Sequence, residues 1–109
     1  MINLFFIINQ MFKNAKKNPV QVTLSLLHNF FIKILLMNSK NFQITPQNIG
    51  IHPFFLNDYQ KAARNFSLEK SVKIIHLLKQ ADLKSKGINT NRIKERELML
   101  DLILDIIRV

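Results

Sequence analysis

Residues 50–87 read GIHPFFLNDYQKAARNFSLEKSVKIIHLLKQADLKSKG, and this stretch contains two helix starts and one helix stop. Pro53 suits the first position of a helix. His52 before it is either a residue that caps or leads into the helix, or a functional residue whose partner the sequence does not identify. Helical spacing predicts that the helix from Pro53 buries Phe55, Tyr59, Ala62, Ala63 and Phe66. Phe54 is either a further core residue or, if exposed, part of a surface for a partner.

The second helix of this stretch is predicted from Leu68 to about Lys86. Ser67 is a typical N-cap, and Glu69 in the first turn complements the helix dipole. Gly87 is a typical C-terminal stop. The predicted buried face consists of Leu68, Val72, Ile75, Leu78 and Ala81. The predicted outer face is basic and consists of Lys70, Lys73, His76, Gln80 and Lys84.

Two further helices are expected before this stretch. Residues 2–13 show helical apolar spacing, and residues 13–17 form a basic connector. Asn18 and Pro19 then start a helix that runs to about Ser39. This helix is polar only along Gln21, Ser25, Asn29 and Lys33, so it is expected at the centre of a bundle. Residues 41–50 form a loop with room for one helical turn after Thr45-Pro46.

A final helix is predicted from about Asn91 to Ile107. Its predicted core side consists of Ile93, Leu98, Leu100, Leu102, Ile103, Ile106 and Ile107. Glu97, Asp101 and Asp105 follow at four-residue spacing and form an acidic stripe. The sequence shows neither internal repeats nor strand-like alternation. We therefore predict an all-α fold in which residues 1–109 form one domain, a bundle of about five helices. Residues 1–17 are its leading helix and connector, and residues 18–109 contain the other helices.

The composition suits a folded, strongly basic chain. Apolar residues make up 48% of it, the formal net charge is +9, and the isoelectric point is about 10.2. Such a charge suits nucleic acid or anionic lipid as a neighbour. An A+T-rich genome explains the positive charge equally well, because codons rich in A and T favour Ile, Asn, Lys and Phe, and so raise the number of lysines. Residues 1–90 hold 12 Lys and Arg against 3 acids, and residues 91–109 hold 4 of each.

The chain lacks cysteine, which excludes disulfides and thiolate metal sites and fits a reducing cytosol. The opening apolar residues have no basic region before them, so we predict no signal peptide. The apolar stretch 20–37 carries Gln21, Ser25, His28, Asn29 and Lys33. Because these would be costly in a bilayer, we predict no membrane span and a cytoplasmic location in a bacterium.

The residue pattern contains no arrangement typical of catalysis. Gly50 and Gly87 lie too far apart for a phosphate-binding loop, and the three histidines form no metal-binding pair. We expect no enzyme activity, no cofactor and no small-molecule ligand. The candidates for a subunit interface are Phe54, Glu97, Asp101 and Asp105. The candidates for DNA contact are Lys84, Lys86, Arg92 and Lys94, and Asp82 is placed to pair with Lys86 one turn along.

Several short motifs resemble one family. They are NPVQ at 18–21 followed by FF at 30–31, GIHPFF at 50–55, DY at 58–59, AARNF at 62–66 and DLKSKG at 82–87. In order and spacing they resemble the C-terminal collar domain of the delta subunit of bacterial DNA polymerase III, a part of the sliding-clamp loader, in its Bacteroidetes-like form. The residues that carry this resemblance are Pro19, His52, Pro53, Phe55, Tyr59, Arg64, Asp82 and Gly87.

The resemblance covers nearly the whole chain and implies a role in DNA replication. In that family the collar domains of five subunits form a ring that holds the loader together, while separate AAA+ domains bind ATP and open the clamp. The implied partners are loader subunits of the gamma/tau and delta-prime types, with DNA nearby. Only the collar is matched, so clamp opening is not expected of these residues. The parent subunit would belong to the polymerase, a nucleotidyltransferase holoenzyme.

Two other readings remain open. A stand-alone basic helical protein that binds nucleic acid would lose DNA affinity steeply as salt rises. A membrane-surface protein with basic amphipathic helices would bind vesicles. We rank the membrane reading last, because the apolar faces are wide enough to need one another.

Overall fold

The computed structural model describes residues 20–87 and 92–109, except for the side chains of residues 92 and 93. The predicted helix over 2–13, the connector and Pro19 lie outside the described residues. The helices are α1 (Val20–Met37), α2 (Pro46–Ile49), α3 (Leu56–Asn65), α4 (Leu68–Lys86) and α5 (Arg92–Arg108), and a 3-10 helix (Pro53–Phe55) precedes α3. No strand occurs within these ranges. The prediction of an all-α bundle of about five helices is therefore confirmed.

Helix α1 forms the core face against which α2, α3 and α4 pack. Its buried residues are Val20, Thr23, Leu24, Leu27, Phe30, Phe31, Ile34 and Met37. The predicted polar stripe is exposed except at Lys33, which is half-buried. Helix α1 is central among the described helices, as expected, but its apolar residues Val22, Leu26 and Leu36 are exposed. The neighbouring described helices cover one side of α1 only, so these apolar residues have no cover there.

The length and composition of α1 would allow it to cross a membrane, and it is the one such helix among the described residues. Within the bundle, 44% of it is buried. A long core helix passes the same test, because a buried helix is also rich in apolar residues.

The short helix α2 is a single turn fastened to α1. The Thr45 hydroxyl accepts a hydrogen bond from the Asn48 backbone N–H at 3.1 Å and caps the turn. Gly50 ends it with a left-handed φ of 81°. The Nζ atom of Lys33 donates to the carbonyl oxygens of Ile49 at 3.1 Å and Gly50 at 3.0 Å. The helical turn after Thr45-Pro46 is therefore present, and Lys33 on α1 holds its end.

Aromatic side chains join α3 to α1. The Phe31 and Phe66 rings meet edge to face, with centroids 5.2 Å apart, and the Phe30 and Tyr59 rings are tilted at the same separation. Ala62 is buried between the two helices, as predicted. Edge-to-face ring pairs of this kind contribute beyond the area that they bury. These contacts place the start of α4, immediately after Phe66, beside the end of α1.

Helix α4 runs back along α1 and begins at the predicted cap, where the Ser67 hydroxyl accepts from the Lys70 N–H at 3.2 Å. Its buried residues are Ser71, Ile74, Leu78, Ala81 and Ser85. Burial of Leu78 and Ala81 agrees with the prediction, Ile75 is only half-buried, and Leu68 and Val72 are exposed, so their predicted burial is wrong.

The buried face of α4 differs from the predicted one because two serines can enter the core. The Ser71 hydroxyl donates to the Phe66 carbonyl at 3.4 Å, and the Ser85 hydroxyl donates to the Asp82 carbonyl at 2.7 Å. A serine that bonds to its own backbone leaves no unsatisfied hydroxyl when it is buried. The small side chains also let α1 come close, so this face is buried instead of the Leu68 side.

Helix α5 packs against α4 and runs antiparallel to it, since its last turn lies beside the first turns of α4. Its buried residues are Leu98, Met99, Leu102 and Ile106. Ile103 is half-buried, and Ile93 lies outside the described side chains. The predicted burial of Leu100 and Ile107 is wrong, because both are exposed. Among the described helices, α5 has its main contact with α4, which covers one of its apolar sides.

Candidate protein-interaction surfaces

An aromatic projection precedes α3. The Nδ1 atom of His52 accepts a hydrogen bond from the Phe54 N–H at 3.0 Å, so His52 is the N-cap of the 3-10 helix. Pro53 occupies its first position, where a missing N–H costs nothing. The rings of Phe54 and Phe55 lie edge to face at 5.3 Å, and the His52 ring approaches Phe55 at 6.4 Å.

Both phenylalanines of this projection face outward. Phe54 is 76% exposed, which favours the interpretation of this residue as part of a partner surface. The predicted burial of Phe55 is wrong, because it is 47% exposed. The half-buried Leu56, which begins α3, packs against the core one position later. The 3-10 helix has three residues per turn, so its side chains point in directions that differ from those of an α-helix. A prediction that assumed 3.6 residues per turn from Pro53 onward therefore placed Phe55 on the wrong side.

A basic face covers the outer side of α4, as predicted. Lys70, Lys73, His76, Gln80 and Lys84 are all exposed. Lys73 forms an exposed ion pair with Glu69 at 3.5 Å, which contributes only tenths of a kcal/mol. Most of the positive charge of this face is therefore turned to solvent and available to an anionic partner.

The four residues proposed for DNA contact lie where α4 ends and α5 begins. Lys84 and Lys94 are exposed. Lys86 pairs with Asp82 at 3.2 Å, which confirms the predicted i, i+4 pair. The side chain of Arg92 lies outside the described residues. The structure thus brings the described basic groups to one end of the α4–α5 pair.

The acidic stripe on α5 is exposed along its whole length at Glu97, Asp101 and Asp105. Asp105 also lines an open cleft of about 550 Å³ between the start of α4 and the end of α5. The other lining residues of this cleft are Val72, Lys73, His76, Leu77, Arg108 and Val109. Groups of both charge signs surround it, so the cleft has no clear preference for a charged ligand.

Helices α4 and α5 each carry a second, uncovered apolar stripe, which apolar spacing alone did not locate. The second stripe of α4 consists of Leu68, Val72, Ile75 and Leu83. The second stripe of α5 consists of Leu100, Ile103, Leu104 and Ile107. Within each stripe one isoleucine is half-buried and the other three residues are exposed. The signal was available, since both helices have more apolar positions than one buried face requires.

The remaining motif residues have structural positions. Tyr59 packs on Phe30, and its partial burial raises the pKa of the phenol above the ordinary value of 10.0. Arg64 is exposed in the last turn of α3. Gly87 follows the last residue of α4, as predicted. Residues 20–87 and 94–109 contain no group of three His, Asp or Glu side chains that could hold a metal ion.

Comparisons of this chain with protein-family models, with curated proteins and with solved structures find no match.

Proposed function

We propose that this chain is an interaction module of the clamp-loader type: the collar domain of a delta subunit of bacterial DNA polymerase III, acting in DNA replication. The observation that carries the proposal is the pair of uncovered apolar stripes on α4 and α5, with positive charge beside one and negative charge beside the other. A subunit inside a ring needs two docking faces, one for each neighbour. The motif resemblance described above supports the choice of this family.

The same proposal gives each surface a role in assembly. Apolar side chains supply the area that a stable contact must bury, and complementary charge favours the correct pairing and a faster encounter. The proposed partners are loader subunits of the gamma/tau and delta-prime types. Catalysis is not part of this role, and ATP binding and clamp opening are assigned to AAA+ domains outside this sequence.

The test is capture of purified loader subunits of the same organism by the tagged chain, at low and high salt and with DNA as competitor. Capture that persists in the presence of DNA supports the proposal. The triple variant Glu97→Lys, Asp101→Lys, Asp105→Lys is expected to capture less. Its control is Lys40→Glu, an exposed charge reversal in the loop after α1. Unchanged capture by the triple variant would count against an interface on α5.

A second candidate function is nucleic-acid binding by the chain on its own. The observation that favours it is the exposed basic face of α4, together with the net charge of +9. Phosphate neutralisation by lysines would make the affinity fall as a power of the salt concentration, without sequence preference. If the chain captured DNA but no loader subunit, and lost the DNA as the salt concentration rose, nucleic-acid binding would be the favoured function.

A further inference from the structure

The second stripe of α5 has the same spacing in both directions along the helix. Its residues stand at positions i, i+3, i+4 and i+7, which is symmetric about the midpoint. Leu100 and Ile107 are its two ends, and Ile103 and Leu104 are its two middle residues. Both ends and Leu104 are 47% to 49% exposed, and Ile103 is half-buried. A symmetric spacing matches a second copy of itself when the two helices run antiparallel about a twofold axis.

The register of such a pair follows from the spacing. With the two midpoints opposite each other, Leu100 of one copy lies at the level of Ile107 of the other. Ile103 and Leu104 meet the same two residues of the second copy beside the twofold axis. Every residue of the stripe therefore gains an apolar neighbour, and none is left over at either end.

One edge of the stripe carries charges that match in the same register. Glu97, Asp101, Leu104 and Arg108 follow at spacings of four, three and four, so they form one row along the helix. A twofold axis places this row against the same row of the other copy. Arg108 of the second copy then lies between Glu97 and Asp101, about 3 Å along the axis from the level of each. All three charged side chains are exposed, and within the described residues none takes part in an ion pair.

The other charges near the stripe meet no like charge in this register. Arg96 continues the opposite edge of the stripe, away from Arg108 of the second copy. Arg96 and Lys94 both lie beyond the C-terminal end of the facing α5, where the helix dipole favours cations. Asp105 lies farther round the helix and lines the cleft between α4 and α5. The charges of α5 therefore support the pairing that its apolar residues define.

The second stripe of α4 lacks this symmetry, because its spacing is uneven and Lys79 interrupts it between Ile75 and Leu83. We propose that two copies of this chain form a symmetric dimer through the second stripe of α5. The two helices run antiparallel, and Arg108 of each copy pairs with Glu97 and Asp101 of the other. The proposal goes beyond the loader assignment, because it concerns the free chain alone.

The dimer is expected to be weak. Four apolar side chains from each copy bury less than the roughly 1,000 Å² that a stable interface needs. The first measurement is sedimentation equilibrium of the purified full chain from roughly 10 μM to 1 mM. The mass should rise with concentration from that of a monomer towards that of a dimer and not beyond it.

Charge variants test the pairing. The acid variant Glu97→Lys with Asp101→Lys and the basic variant Arg108→Glu should each weaken the dimer about tenfold, because attraction becomes repulsion at both ends. An equimolar mixture of the two variants should associate again. In the mixed dimer the new lysines face the new glutamate, and the native acids of one chain face the native Arg108 of the other. Lys40→Glu, an exposed reversal away from α5, is the control and should leave association unchanged.

Apolar variants test the stripe. Leu104→Asp places two like charges beside the twofold axis and should abolish the dimer. The matched control is Leu26→Asp on α1, since Leu26 and Leu104 are both 47% exposed. This control should dimerise as the wild type does. Circular dichroism of every variant checks that the helices form.

Single thiols test the register, since the chain has no cysteine of its own. Leu104 lies beside its counterpart at the twofold axis, so Leu104→Cys should form an intermolecular disulfide under mild oxidation. Ile107 lies about 10 Å along the axis from its counterpart, so Ile107→Cys should not form one. A parallel pair of helices would cross-link both variants.

Three results would overturn the proposal. A wild-type chain that stays monomeric up to 1 mM would leave the stripe to another occupant, such as a loader subunit or residues 2–13. A mixture of the acid and basic variants that does not associate would exclude the charge pairing. Equal cross-linking of Leu104→Cys and Ile107→Cys would exclude the antiparallel register. Capture of loader subunits is a separate measurement, so failure here leaves the proposed function standing.

Discussion

Asn38 donates a hydrogen bond from Nδ2 to the carbonyl oxygen of Phe66 at 2.7 Å, across the corner between α3 and α4. The same amide donates to the Ala63 carbonyl at 3.2 Å. Phe66 has an extended backbone, with φ −117° and ψ 97°, so its carbonyl points out of the helical ladder and needs a partner from elsewhere. Asn38, which directly follows α1, thus holds the corner that directs α4 back along α1.

Replacing Asn38 with alanine should therefore destabilise the bundle. Two partly buried carbonyls lose a donor, and we expect a loss of about 1–2 kcal/mol in the free energy of unfolding. Urea unfolding followed by circular dichroism measures it. The control is Asn29→Ala on the exposed side of α1, which should change the stability by less than about 0.5 kcal/mol. Equal effects of the two substitutions would mean that the amide does not hold the corner.

Phe54→Ala should separate binding from stability. The ring is 76% exposed, so its removal should change the free energy of unfolding by less than about 0.5 kcal/mol. Exposed aromatic residues are typical anchors of protein interfaces, so capture of a loader subunit should fall. Phe31→Ala is the contrasting variant. That ring is fully buried, and its loss should cost about 3–5 kcal/mol. If the Phe54→Ala variant captured the loader subunit as well as the wild type does, the aromatic projection would not be part of the interface.

The two glycines should respond in opposite directions to alanine. Gly50 has φ 81°, in the left-handed region, and an added Cβ would lie 3.4 Å from Lys33 Nζ. We expect Gly50→Ala to cost about 1–2 kcal/mol. Gly87 has φ −90°, and its Cβ would lie in ordinary contact with the Lys84 carbonyl at 3.7 Å. Gly87→Ala should be neutral or stabilise by up to about 1 kcal/mol, by restricting the unfolded chain. Thermal unfolding of both variants gives the comparison, and a loss at Gly87 equal to that at Gly50 would contradict it.

Local signals in the sequence predicted where the helices begin and end. Ser67, His52 and Thr45 each cap a helix through a side chain close along the chain, so their role depends on few neighbours. The charged faces of α4 and α5 were predictable for a similar reason, because lysine and aspartate are seldom buried. These features needed no knowledge of the tertiary packing.

The buried faces were harder to predict, because the choice depends on the partner helix. Helix α4 offers one side around Leu68 and Val72 and another around Ser71 and Ile74, and apolar spacing favours the first. The structure buries the second, where small serines allow close approach and satisfy their own hydroxyls. On α5, both Leu102 and Leu100 lie on apolar stripes, and only the first is covered. The second stripes could therefore be located only in the folded chain.

Tyr59 should make the stability fall at high pH. Partial burial raises the pKa of its phenol above 10.0, because the phenolate is poorly solvated beside Phe30. The unfolded phenol ionises first, at about pH 10, so the folded state holds its proton more tightly. This contribution to the free energy of unfolding is fully present below pH 10 and is lost as the pH rises through the folded pKa.

Tyr59→Phe isolates this effect, since it keeps the ring and removes the ionisable group while the lysines titrate alike in both chains. The difference in unfolding free energy between the wild type and the variant should be constant from about pH 7 to pH 9 and should then shift against the wild type. Tyr59 is the single tyrosine and the chain has no tryptophan, so phenolate absorbance reports its pKa directly. The absorbance midpoint should be higher in the folded chain than in urea. Coincident midpoints would show that the phenol is as well solvated in the bundle as in the unfolded chain.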